Sequence, residues 1–147
     1  MRVADFLTAD LSCFGARDVK VAGWADVPPI FGVLPPAIQP QWLWFGVTSV
    51  VIWDRPRGSL SDLACSQGQC PPYLFLNIAP GSSVSVDRVT GWVVVTGHRD
   101  DPVADTCHYV YPPGWTEAPF PDQEARDLCR TAFVLISIKA SNEPAST

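Results

Sequence analysis

The chain has 147 residues, 47% of them hydrophobic and 17% charged, with six tryptophans and seven phenylalanines. That is enough apolar matter for one domain of ordinary size, and it excludes a globally disordered chain. Ten basic against fifteen acidic residues leave a net charge of −5, with Lys20 and Lys139 as the only lysines. Such a balance gives no general attraction to phosphate backbones, so a nucleic-acid partner is not expected from charge. No apolar run approaches the roughly 18 residues of a membrane-spanning helix. The N-terminus, Met1-Arg2-Val3-Ala4-Asp5, meets an acid before any apolar segment forms. It therefore carries no secretory signal, and an exported form would be a mature domain cut from a longer precursor or anchored through a segment outside this chain.

Fifteen prolines and ten glycines are spread along the chain without a period. Long helices tolerate neither, so short strands joined by turns are expected. Arg2 to Ala9 reads as one or two helical turns with Val3, Phe6 and Leu7 on one side, ended by Gly15. Asp18 to Val27 is the first strand, where Val19 and Val21 alternate with Asp18, Lys20 and Ala22. Pro28 to Pro40 is a Pro-rich loop. Val47 to Trp53, β-branched and apolar, is the second strand, and Asp54 to Cys70 a long hairpin connection. Tyr73 to Ile78 is the third strand, ended by Pro80-Gly81, and Ser82 to Thr90 a short connector. Trp92 to His98 is the fourth and clearest strand. At Asp101-Pro102 a short helical turn starts, since Asp caps well and Pro suits the first helical position. A Pro-rich excursion from Tyr109 to Asp127 follows, with a second short helix near Asp122 to Arg130. Thr131 to Lys139 is the fifth strand. Residues 1–140 are read as a single domain and 141–147 as a flexible tail.

Five cysteines, Cys13, Cys65, Cys70, Cys107 and Cys129, point to a disulfide framework and an oxidising compartment. Cys65 and Cys70 lack a second knuckle at metal-binding spacing, so no metal and no other cofactor is expected. Cys107 with Cys129 is the preferred pair, because it closes the Pro-rich excursion. Cys13 with Cys70 is the preferred second pair, over Cys13 with Cys65 or Cys65 with Cys70. That choice leaves Cys65 free, or available to a disulfide-linked dimer.

Two segments share one form: Val19-Lys20-Val21-Ala22-Gly23-Trp24 and Val93-Val94-Val95-Thr96-Gly97-His98. Both read V-x-V-x-G before a ring-bearing residue. This resembles strands one and four of the OB family, in which glycine lets the strand bend round a small barrel. The resemblance spans about Val19 to Lys139 and implies a mostly-β, five-stranded OB-like barrel with short helices and long Pro-rich loops. Cys13-Phe14-Gly15, Val95-Thr96-Gly97-His98 with Asp100-Asp101-Pro102 and Cys107, then Cys129 before Phe133-Val134, also resemble extracytoplasmic domains of uncharacterised bacterial proteins, some of them lipoproteins. That likeness implies export and names no activity.

No nucleophile elbow, phosphate loop, dinucleotide fingerprint or zinc-protease motif occurs. His98-Arg99-Asp100-Asp101 is the densest polar cluster and the place where a small hydrolase would find a base and carboxylates. Neighbours at a strand end point apart, so a structural role is favoured. OB barrels bind ligands on the face of strands two and three, flanked by the loop after strand one and the loop before strand five. Those loops carry Phe31 and Trp42, and Tyr109, Tyr111 and Trp115, rings of the kind that stack on sugars or bases. The expectation is a non-catalytic, extracytoplasmic binding module for a protein or a carbohydrate. A single-stranded nucleic-acid binder and a hydrolase using His98 with Asp100 or Asp101 are the alternatives.

Overall fold

A computed structural model describes residues 1–25, 37–39, 50–56, 67–68, 70–78, 82–84, 90–117, 119 and 121–144. Helix α1 (Val3–Thr8) and the short α2 (Leu11–Phe14) lead into β1 (Val19–Ala25). Strands β2 (Ala37–Gln39), β3 (Val50–Trp53), β4 (Tyr73–Asn77) and β5 (Gly91–His98) follow. A 3-10 turn (Pro102–Thr106), β6 (His108–Val110), α3 (Asp122–Thr131) and β7 (Phe133–Ala140) complete the order.

Five strands form one sheet in the order β1-β3-β4-β7-β5, and β5 pairs back onto β1, so the sheet closes on itself. All neighbours are antiparallel except β4 and β7, which run parallel over Leu76↔Phe133 and Asn77↔Val134. The alternation in the sequence decides what faces inward. Val21, Gly23 and Ala25 of β1 and Val93, Val95 and Gly97 of β5 are buried, while their neighbours are not. Ile52, Leu74, Leu76, Phe133 and Leu135 complete the core, and α1 adds Val3 and Phe6.

The two motif glycines sit where another element comes too close for a side chain. A Cβ on Gly23 would lie 2.8 Å from the Trp53 carbonyl oxygen, and one on Gly97 would collide with the Val134 carbonyl oxygen and the Phe133 ring. The β5–β7 register also shifts between Thr96 and Gly97, a bulge that bends the strand. Helix α1 is held to the sheet by Asp54, whose carboxylate accepts from the Ala4 N–H at 3.0 Å and pairs with Arg2 at 3.3 Å.

A smaller cluster lies beside the closed sheet. Ala104, Cys107, Ala125, Cys129, Ala132 and Val134 are packed together, with Val103 and Tyr109 against them. The Cys107–Cys129 disulfide is its centre.

Several expectations change. Cys13 is a free, exposed thiol, so it is not paired with Cys70; Cys70 is itself disulfide-bonded. Proximity along the chain to a strand start was a poor guide, because α2 holds Cys13 on the surface. The reading of Cys65 as the odd cysteine lies outside the described residues. The Pro-rich segments were read as loops, yet Ala37–Gln39 and His108–Val110 pair antiparallel as a separate two-stranded sheet. The tail expected from 141 is still tied at Ser141, whose N–H donates to the Trp92 carbonyl at 2.8 Å. No helix among the described residues is long and apolar enough to cross a membrane.

Candidate functional site

The outer side of the β4–β7 seam carries a groove of about 300 Å³, lined by Leu7, Tyr73, Leu74, Phe75, Asn77, Arg99, Leu128, Thr131, Ala132 and Phe133. Strand alternation explains half of it. Leu74 and Leu76 pack into the core of the closed sheet, which turns Tyr73, Phe75 and Asn77 to the other face. Helix α1 buries Val3 and Phe6 and so presents Leu7, 40% exposed, at one rim. Helix α3 buries Ala125 and Cys129 against the smaller cluster and presents Leu128, also 40% exposed, at another. Two large, partly exposed apolar side chains therefore stand at the mouth of the cleft, which makes it the candidate site.

Two residues that line the groove, Asn77 and Arg99, each bury one polar atom with no hydrogen bond among the described residues. Asn77 is 1% exposed, and its Nδ2 donates to the Phe133 carbonyl at 2.9 Å and approaches the Phe75 carbonyl at 3.5 Å. Both neighbours are acceptors, so the NH₂ must face them and the orientation of the amide is fixed. Oδ1 is then left buried with no hydrogen bond. Arg99 is half-buried, its guanidinium carbon 4.1 Å from the centre of the Phe6 ring. Its Nε is buried without a hydrogen bond, and no carboxylate among the described residues pairs with it. Burial pulls Arg99 below the usual arginine value, while the guanidinium remains a cation at neutral pH. An orphaned buried acceptor and a partly desolvated cation each cost stability.

The four residues of the 98–101 cluster do not converge. His98 Nδ1 lies 2.9 Å from Asp18 Oδ1, and its Nε2 lies 2.7 Å from Asp101 Oδ2. Asp101 Oδ1 accepts from the Val103 N–H at 2.9 Å and caps the 3-10 turn. Asp100 adopts a φ of 53°, and its N–H donates to the Arg130 carbonyl at 2.8 Å. Arg99 turns away to Phe6 and the groove. Ionised carboxylates only accept, so both contacts of His98 are hydrogen bonds only when both ring nitrogens carry protons. Burial by itself pulls the His98 pKa down, but the hydrogen bonds and charges of Asp101 and Asp18 outweigh it, and the net shift is upward. The imidazole thus joins the start of β1, the end of β5 and the 3-10 turn, with no nitrogen left over to take a proton from a substrate.

Of the predicted ring residues, Tyr109, Tyr111 and Trp115 come together, with centroids 6.3 Å and 5.7 Å apart. Tyr109 packs against the disulfide cluster, and burial and its hydrogen bond to Glu124 raise its pKa. Trp115 keeps a buried Nε1 without a hydrogen bond. Phe31 and Trp42 lie outside the described residues. Of the strand tryptophans, Trp53 is buried, while Trp24 and Trp92 face each other edge-on at 5.5 Å on the outer side of the β1–β5 pair.

The sequence alone does not mark Leu7, Asn77, Leu128 or Asp18 as site residues. Asn77 carried a signal: it is the only polar residue in the run Leu74-Phe75-Leu76-Asn77-Ile78. Among the described residues, no group of three His, Cys, Asp or Glu side chains is placed to hold a metal ion. Compared with protein-family models, curated proteins and solved structures, the chain matches none.

Proposed function

We propose that this chain is a non-catalytic binding module built on an OB-type barrel, and that its ligand sits in the groove over the β4–β7 seam. The observation that carries the reading is the groove itself, an apolar cleft with Leu7 and Leu128 at its rim and two unmet polar groups inside. The barrel type is supported by strand order. Counted along the chain, the five sheet strands run one, two, three, five, four and back to one, with three and five parallel. An oxidising, extracytoplasmic setting is supported by the Cys107–Cys129 disulfide and by the bonded state of Cys70.

The other readings have less to stand on. A hydrolase using His98 needs a ring nitrogen that both carboxylates already engage. A nucleic-acid binder needs clustered cations, and among the described residues Arg99 is the sole cation lining the groove. A carbohydrate on the rings of Tyr109, Tyr111 and Trp115 would have to use a surface partly committed to the disulfide cluster.

The test is titration with 1-anilinonaphthalene-8-sulfonate, an apolar monoanion, under native conditions monitored in parallel by circular dichroism. Saturable fluorescence enhancement is expected, and Leu128→Glu, which puts a charge at the exposed rim, should remove it without changing the dichroism. No enhancement in the native protein, or equal enhancement in Leu128→Glu, counts against the groove.

A further inference from the structure

We propose that the groove takes the carboxyl-terminal residue of a peptide ending in an apolar side chain; this deepens the reading of the groove as a binding site and rests on it. Three requirements can be read from its lining. The walls, Leu7, Phe75, Leu128 and Phe133 among them, ask for an apolar body. Arg99 asks for an anion. It is the one cation among the lining residues, and its flat guanidinium, already stacked on Phe6, suits a planar monoanion held by two parallel hydrogen bonds. The Asn77 Oδ1 asks for an N–H or O–H donor, because its own NH₂ is committed to the Phe133 carbonyl.

The last residue of a peptide carries all three within one unit: side chain, free carboxylate and amide N–H. A free amino acid does not meet them, since its ammonium group would enter a groove whose lining contains no carboxylate. A fatty acid supplies the first two and leaves Asn77 unmet. The volume, about 300 Å³, is at the low end of small-molecule sites and suits a single residue. The net charge of −5 gives no long-range steering toward an anion, so affinity must come from contacts made inside the groove.

The probes are three acetylated tripeptides, acetyl-Ala-Ala-Leu, acetyl-Ala-Ala-Phe and acetyl-Ala-Ala-Val, each as free acid and as C-terminal amide, measured by calorimetry and by displacement of the anilinonaphthalene dye. At least one free acid is expected to bind, with its amide weaker by roughly tenfold or more. Methylation of its last peptide nitrogen should weaken binding by a similar factor, and free leucine should not bind. Arg99→Gln should erase the difference between acid and amide while the dye still reports an intact groove. If the dye binds and no acid displaces it, or if acid and amide bind alike, the peptide-terminus proposal is overturned and the groove survives as a site for another ligand. If the dye itself finds no groove, the functional reading beneath it fails first.

Discussion

Removing the Cys107–Cys129 bridge separates two parts of the stability of this chain. The bond closes a loop with a sequence separation of 22 residues. In the chain-entropy treatment, a closed loop of this size restricts the unfolded chain by about 3 kcal/mol. That is a large share of the roughly 5–15 kcal/mol that a domain commonly has. The packing beside the bond cannot replace it. Apart from the cysteines, the buried members of the cluster are Ala104, Ala125, Ala132 and Val134, three of them with only a methyl group to bury. The variant to make is C107A/C129A, which keeps small apolar side chains at two buried positions and leaves the Cys70 bond untouched, as chemical reduction would not. Urea unfolding followed by tryptophan fluorescence and amide exchange should show a loss of about 3 kcal/mol. Exchange should rise most in α3 and the 3-10 turn, while β1 and β5, packed in the separate main core, stay protected. A loss below about 1 kcal/mol, or uniform loosening of both clusters, would refute the view that the bridge holds a weakly packed annex onto an independent sheet.

Three further outcomes are expected. The raised pKa of His98 means that the folded state binds its proton more tightly than the unfolded chain does. Its stabilising contribution is therefore complete below the ordinary histidine value of about 6.5 and is lost as pH rises through the higher folded value. The urea midpoint of the native protein should fall as pH rises from about 6.5 through the higher folded value, and His98→Gln should flatten the fall; parallel profiles would sink the assignment. Gly97→Ala should cost about 2 kcal/mol or more, read as a lowered Tm or a lost soluble fraction, because the Val134 carbonyl that it meets is backbone and cannot swing aside. In native protein Cys13 should react fully with iodoacetamide, while Cys70, Cys107 and Cys129 stay unlabelled until reduction; an unlabelled Cys13 would restore the pairing with another cysteine.

The legible part of this fold was the part written in short-range chemistry. Alternation in Val19–Ala25 and Gly91–His98 marked two strands and their inward faces, and Asp101-Pro102 marked the capped turn. Cys107 and Cys129 are recognisable as a pair because they bracket a Pro-rich excursion. What stayed hidden depends on residues far apart in the chain. Asp18 meets His98 across 80 positions, and Asn77 meets Phe133 across 56. The pairing of Ala37–Gln39 with His108–Val110 joins two Pro-rich stretches that look like loops one at a time. Ring residues drew the eye to Tyr109, Tyr111 and Trp115. The groove instead draws on Leu7, Leu128 and Asn77, ordinary amphipathic or strand residues until the fold sets their leftover faces together. Arg99 was noticed for its acidic neighbours, whereas its position depends on Phe6, from the other end of the chain.

The central claim is that the ligand-holding surface is the groove over the β4–β7 seam. Intermolecular nuclear Overhauser contacts between the bound anilinonaphthalene dye and the protein's methyl groups test it most directly. The account predicts contacts to the Leu7 and Leu128 methyls, weakened together by Leu128→Glu. Contacts confined to Val110 and the rings of Tyr111 and Trp115, with none to Leu7 or Leu128, would contradict it.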